Sequence, residues 1–241
     1  QTVDNYLMTK EVVRALALEH GVIASYMPKP YTELPGSGLH VHLALWDANS
    51  GDNLMMGDGA DKPLSDLGGN FVGGLLNHAA GLSGTGAPTV NSYKRLQPGS
   101  WAPAHIAWGV GNRAALVRIP DVNERCRAEY RAGDSTCNPY IYMTTLLAAG
   151  LDGIHQQTDP GKPFNDQDVG HFSDADVAEN EISYLPRHVS SALDALEADA
   201  VLMAALAPVI GQEYLKIKRF DVDNYNLAVH AWERQMYLEV T

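Results

Sequence analysis

"GSGLHVHLALWD", residues 36–47, alternates polar and apolar side chains after a glycine–serine–glycine turn, and this alternation decides between sheet and helix. At a period of two, Leu39, Val41, Leu43 and Leu45 point one way while His40, His42, Ala44 and Trp46 point the other. Residues 39–46 are therefore expected to form a strand with two imidazoles on one face, about 7 Å apart along it. That separation is long for two ordinary ligand bonds of roughly 2 Å to one ion. It suits one metal ligand and one phosphate or nucleotide donor better. Two hydrogen-bonded histidines on a plain sheet face account for this stretch equally well.

The rest of the chain frames the strand. Its 241 residues, 45% hydrophobic and 19% charged, have the composition of an ordinary globular domain. With 29 acidic against 17 basic side chains the formal charge is −12, which repels phosphate backbones and anionic membranes. Neither a nucleic acid nor a membrane is an expected partner, and no apolar run approaches the roughly 20 residues of a membrane span. A site for an anionic substrate must therefore concentrate its few arginines locally. Cys126 and Cys137 match neither a CxxC pair nor a zinc spacing, which fits a reducing, cytoplasmic location. The chain opens "QTVDNYLMTK" without an initiator methionine, so its natural N-terminus is expected to lie upstream.

Val3, Leu7, Val12, Leu16 and Leu18 recur near helical spacing, predicting a helix over 3–19 with Gly21 as its stop. "VIASYMP" (22–28) reads as a short strand, and 48–63 as an exposed glycine-rich connection. A helical pattern covers 64–82, and the turn-rich stretch 91–103 reads as a long ordered loop. Strands are expected at 114–119 and 125–131, then a helix beginning near Pro139, where a missing amide hydrogen costs least. Beyond 158 a polar, proline-containing linker leads to helices near 188–198, 200–207 and 211–219. A last helix carries Val229, Trp232 and Met236 on one face, with Trp232 and Met236 assigned to the core. Strands first and helices last indicate an α+β fold.

Two further stretches carry charge in a pattern. In "RCRAEYR" (125–131), Arg125, Arg127, Glu129 and Arg131 share one strand face, and Cys126, Ala128 and Tyr130 the other. A carboxylate flanked by guanidiniums stays ionised and can ligate a hard cation such as Mg²⁺, while the arginines bind anionic oxygens. A solvent-facing charge ladder is the alternative. In "GNRAALVRIP" (111–120), Arg113 and Arg118 are five apart, so both serve one site only if Arg113 sits in a turn or a bulge intervenes. Arg95 adds a cation on the 91–103 segment, which is expected to be flexible enough to close over a ligand.

In order and spacing, "YMPKP", "GSGLHVH", "NSYKRLQPG" with its following "AP", "GNRAALVRIP" and "RAEYRAGDSTCNPYIY" resemble the C-terminal catalytic region of the glutamine synthetase family. The end, "HAWERQMYLEVT", is more like the divergent branch that includes glutamate–amine ligases. The resemblance implies a curved antiparallel β-sheet, a half-barrel with helices outside, with residues 1–158 as partial catalytic core and 159–241 as linker and helical remainder of the same domain. It implies ATP-dependent joining of glutamate, or a related acid, to ammonia or an amine through an acyl phosphate. Such a protein serves glutamine biosynthesis and nitrogen metabolism and forms hexameric rings, single or doubled to a dodecamer. His40 and Glu129 are then ligands of Mg²⁺ or Mn²⁺, with His42 and Arg118 beside the ATP phosphates. Arg95, Arg113 and Arg131 surround the glutamate carboxylates and the transferring phosphoryl group, Arg113 also reaching ATP. Gly36 contacts the amino-acid substrate.

Three departures qualify the resemblance. Trp101 in "PGSWAP" stands where the family has a loop glutamate, which directs the reading toward a larger amine or a weak use of ammonia. Pro35 replaces an asparagine at the substrate's amino-acid end, and it offers neither a backbone hydrogen nor an amide. The remaining metal-ligating glutamates and the N-terminal domain are not found in these residues, so the chain alone is expected to be incomplete and inactive. A relative that kept the fold as a nucleotide-binding or regulatory protein is the alternative function.

Overall fold

The structure is a computed structural model that describes residues 1–59 and 62–240. In chain order the elements are α1 (Thr2–Glu19), β1 (Val41–Leu43), α2 (Asp66–Asn77), α3 (Ala79–Gly86), α4 (Ser92–Arg95), β2 (His105–Ile106), β3 (Trp108–Val110), β4 (Val117–Ile119) and β5 (Ala128–Tyr130). There follow α5 (Pro139–Gln156), α6 (Asp174–Glu179), β6 (Ser183–Tyr184), α7 (Val189–Ala198), α8 (Ala200–Ala205), α9 (Pro208–Leu227) and α10 (Ala231–Tyr237).

The main sheet runs β1-β5-β4-β3 and is open at both ends. β1 with β5 and β5 with β4 are antiparallel, whereas β3 and β4 run parallel across the six-residue connection 111–116. The α+β architecture expected from the sequence is thus present with a mixed rather than wholly antiparallel sheet. Alternation sorts the faces: Val41, Leu43, Val117, Ile119, Ala128 and Tyr130 are buried in one core with α2, α3 and α5, leaving the charged face free. Tyr130 meets Tyr142 of α5 edge to ring at 6.4 Å, a favoured aromatic arrangement. Leu146 on α5 is fully buried in the same core, and its truncation to alanine would cost about 2–5 kcal/mol.

Local chemistry sets the helix boundaries. α5 starts with Asn138 accepting from the amides of Tyr140 and Ile141, and Pro139 occupies the first turn as expected. The helical pattern of 64–82 is cut in two at His78, whose ring bridges Asp199 Oδ2 at 2.6 Å and Asp152 Oδ2 at 3.2 Å. That bridge ties the α2–α3 junction to α5 and to the start of α8.

Several expectations are corrected. Residues 22–28 form no strand, for no neighbouring strand pairs with them, and Ile23 is almost wholly exposed. The other strands are shorter than their alternating patterns, because only three residues of each find a ladder partner. The 48–63 connection buries Met55 completely, while Ala60 and Asp61 lie outside the described residues. The helix expected at 211–219 runs on through Leu227. Trp232 and Met236 are exposed rather than core, since α10 buries none of its residues.

The stretch after 158 is not a loose linker. It is a strap across the sheet end, with Trp108 Nε1 donating to Gly161 O at 3.0 Å, Phe164 N to Trp108 O at 2.8 Å and Leu185 N to Ala104 O at 2.8 Å. Phe164 and Val169 build a small second core with Ala107 and Ala115. Among the described residues, no helix is long and apolar enough to cross a membrane.

Candidate active site

Strand register places the charged residues side by side. Glu129 on central β5 lies opposite His42 on β1 and Arg118 on β4, forming a row across three strands on the face away from the helices. Glu129 is nearly fully buried. Its Oε1 accepts from Arg131 Nη1 at 2.9 Å and lies 2.9 Å from His40 Nδ1, while Oε2 accepts from Arg118 Nη1 at 3.0 Å. Burial alone would raise the carboxyl pKa. The His40 hydrogen bond and the Arg131 charge overcome this and bring it down to about 2, so Glu129 is ionised.

The two histidines are held differently. His40 is engaged by the carboxylate, whereas His42 Nδ1 accepts from Arg127 Nε at 3.1 Å, and Arg127 is anchored on Asp121 by a 2.6 Å ion pair. Burial pushes the His42 pKa down, and the facing Glu129 only partly offsets this. His42 is thus a neutral ring whose Nδ1 is already occupied.

A carboxylate oxygen and an imidazole nitrogen at this spacing form a donor pair that fits one side of a hard divalent cation. No group of three His, Cys, Asp or Glu side chains able to hold a metal is present among the described residues.

Two cavities open beside the row and share Gly99, Ser100, Trp101 and Arg131 in their walls. One, of about 620 Å³, is also lined by Arg113 and by Asp168 and His171 of the strap. The other, of about 580 Å³, reaches back to Gly36, Gly38, His40 and Arg95. Trp101 stands at their shared rim with 87% of its surface exposed. The loop bearing it is pinned at its base, where Gly99 N donates to Gly170 O at 2.8 Å and Ser100 Oγ to Arg95 O at 2.9 Å.

The expected site residues come together, with three refinements. Arg113 lies in the turn before β4, the condition under which it and Arg118 can serve one site. Arg125 lies in the turn at 124–125, ahead of β5 and exposed, so it leaves the ladder. Arg95 is not on a mobile closing segment, because it ends α4 and is buried. Its Nη1 donates to Ala132 O at 2.9 Å and its Nη2 to Arg131 O at 3.0 Å, fastening the strand that carries Arg131.

The opening turn makes room for this side chain. A Cβ on Gly36 would stand 2.5 Å from Pro28 O and 3.1 Å from Arg95 Cγ, and one on Gly38 would collide with Arg95 Nη2. Sequence reading missed Asn112, which donates to Phe164 O at 2.5 Å and Gln167 O at 2.8 Å and so binds the Arg113 turn to the strap. An asparagine beside a glycine signals a turn, but nothing local signals its distant partner.

Residues 1–237 match the family model "Glutamine synthetase, catalytic domain". The chain is 41% identical over 239 residues to a glutamine synthetase of Halobacterium salinarum, covering 99% of this chain and 52% of that protein. It is 39% identical over 245 residues to a glutamate–methylamine ligase of Methyloversatilis universalis, covering 98% of this chain and 53% of the relative. Among solved structures, the GmaS/ADP complex in conformation 1 aligns with a TM-score of 0.88 at 40% identity, over 99% of this chain and 54% of that one. The chain thus spans about half the length of these relatives. With nearly its whole length matched by one domain model, the chain belongs to the glutamine synthetase family, within the catalytic domain.

Proposed function

We propose that the full protein is an ATP-dependent ligase joining the side-chain carboxylate of glutamate, or a related acid, to ammonia or an amine, and that residues 1–158 supply part of its catalytic core. Residues 159–241 belong to the same domain as its linker and C-terminal helical part. The observation that carries this reading is the ionised, buried Glu129 paired with His40 beside a cleft whose walls include Arg95, Arg113 and Arg131.

In this reading His40 and Glu129 hold a divalent cation, Mg²⁺ or Mn²⁺, which supplies positive charge to the oxygens of the ATP phosphates. His42, Arg118 and Arg113 would bind those phosphates. Arg131, Arg95 and the Gly36 backbone orient the acid. A carboxylate oxygen attacks the γ-phosphorus, the bond to ADP breaks, and an acyl phosphate forms. The amine lone pair then attacks the acyl carbon, phosphate leaves, and the amine's proton passes to it. Phosphoryl transfer of this kind depends on positioning and charge neutralisation, for which arginines are suited.

Trp101 cannot accept a proton or attract a small cation through a carboxylate, but its ring can stack on an organic group or hold a substituted ammonium. The preferred acceptor is accordingly an amine larger than ammonia, with ammonia used weakly. Pro35 leaves the acid less tightly specified than the nucleotide. A cytoplasmic location, a role in nitrogen metabolism and assembly into rings of six, single or doubled, belong to the same proposal.

The test is phosphate release from Mg-ATP by the full-length protein with glutamate and a panel of amines beside ammonium. The expected result is release that depends on both co-substrates, fastest with an organic amine. Nucleotide binding without such turnover would favour the non-catalytic relative, and a clear preference for ammonium would remove the role given to Trp101.

A further inference from the structure

Asp134 is completely buried, and none of the chemistry above uses it. Its Oδ1 caps the following turn, accepting from Thr136 N at 2.9 Å and Thr136 Oγ1 at 2.5 Å, and its backbone N donates to Gly86 O at 2.9 Å. Its Oδ2 is buried with no hydrogen-bond partner. A buried carboxylate oxygen left unpaired is costly unless nearby positive charge compensates for it.

Two buried cations lie on either side along the backbone. Arg95 binds the carbonyls of Arg131 and Ala132, and Ala132 is only two residues from Asp134, about 7 Å at full extension. Lys10, the one buried residue of α1, donates its Nζ to Ser135 O at 2.6 Å, and that carbonyl is on the residue next to Asp134. Lys10 also lies 5.5 Å and 5.0 Å from the ring centres of Tyr6 and Tyr26, a partly aromatic enclosure. Neither cation has a carboxylate within salt-bridge distance among the described residues; burial lowers the pKa of both, and Asp134 is the foremost charge opposing this at Arg95, whereas at Lys10 it adds to Cys137 and Glu11. Without a negative charge at this point, the Arg95 guanidinium would sit in its glycine cradle held only by neutral carbonyls.

We infer that Asp134 is a positioning residue for the acid-binding end of the cleft: as the shared counter-charge of Arg95 and Lys10, it keeps Arg95 seated under the 36–38 turn and thereby fixes Arg131. Resting on the ligase reading above, the inference adds a residue that touches neither substrate nor nucleotide. It also joins the seat of α1 to the cleft, through a chain of buried charge running Lys10, Asp134, Arg95.

Asp134→Asn in the full-length protein separates charge from shape, because the amide oxygen can still cap Thr136. The expected result is a KM for the acid raised about tenfold, with kcat within about threefold and the KM for ATP within about twofold. Asp134→Glu should restore most of the acid KM. Equal losses in kcat and both KM values would mark a merely structural role and overturn the inference, as would unchanged kinetics.

If Asp134→Asn does not fold, Lys10→Met with Asp134→Asn removes Asp134 together with one of its two cations, a change that buried charges tolerate better than loss of the carboxylate alone. The same tenfold rise is expected there, and an acid KM within twofold of wild type would overturn the inference. Wild-type protein without any acid- and amine-dependent turnover would instead defeat the ligase reading itself. Isothermal titration of glutamate into wild type and variant then decides the role of Asp134, since affinity should still fall about tenfold in the variant.

Discussion

Two histidine–carboxylate clusters, one in the cleft and one among the helices, use the same chemistry with opposite balance. In the helical layer one imidazole, His78, faces two carboxylates, Asp199 and Asp152. In the cleft one carboxylate, Glu129, faces an imidazole and two guanidiniums, with Arg113 and Arg95 in the adjoining walls. The helical cluster is complete in itself and acts as a fastener. Around Glu129 the guanidiniums of Arg118 and Arg131 outnumber the one carboxylate they bind, which is the electrostatic condition for taking up an anion there. A buried charge cluster is thus read by its balance, not by its residue types.

Upsetting the cleft should have the largest effect. Glu129→Ala leaves the buried Arg131 and the half-buried Arg118 unbalanced and the cation with one ligand from this chain, so Mg-ATP affinity of the full-length protein should fall more than 100-fold, read by calorimetry. Unchanged affinity would make the row a structural ladder after all. The helical cluster should respond in stability instead, and with a pH signature. Hydrogen bonding to Asp199 raises the His78 pKa, against the effect of burial, with Asp152 assisting. A group raised in this way contributes stability that is fully present below its ordinary value near 6.5 and fades as pH climbs through the folded value. His78→Gln should therefore cost about 2 kcal/mol at pH 6 and distinctly less at pH 9, measured by urea denaturation. A difference independent of pH would mean that His78 is neutral in its bridge.

Smaller effects refine the contrast. Trp101→Glu puts a negative charge at the rim of the positive cleft, and amine preference should move about tenfold toward ammonium, roughly 1.4 kcal/mol, in paired kcat/KM measurements. At the surface, Arg219 binds Asp194 at 2.9 Å and Glu197 at 2.6 Å with its own side chain 43% exposed. It resembles the helical cluster in composition but not in burial, so Arg219→Ala should change stability by less than about 1 kcal/mol. A larger loss would show that balance matters here even without burial.

Much of this was legible in the sequence because it rests on short-range periodicity. The alternation of 39–46 put His40 and His42 on one face, and that of 125–131 put Glu129 and Arg131 together, before any partner strand was known. The turn placement of Arg113 was visible as a condition, five residues being the wrong spacing for one strand face. Illegible were the relations between distant segments. Nothing around Arg95 announces that its guanidinium is spent on carbonyls 36 and 37 residues away, and Pro and Asp content disguised a strap as a linker. The helical spacing in α1 and α10 was real, yet Leu16, Leu18 and Trp232 are exposed, because periodicity reports an apolar face and not what covers it.

The strap has a consequence for how this region can vary. From Gly161 to Leu185 it is tied at Trp108, Val110, Asn112, Gly99 and Ala104, in places only a few residues apart. Between neighbouring ties an inserted residue must bulge outward, and a deleted one must undo a tie. The stretch therefore tolerates change in the kind of residue far better than change in their number, like a ruler whose markings may be repainted but not moved.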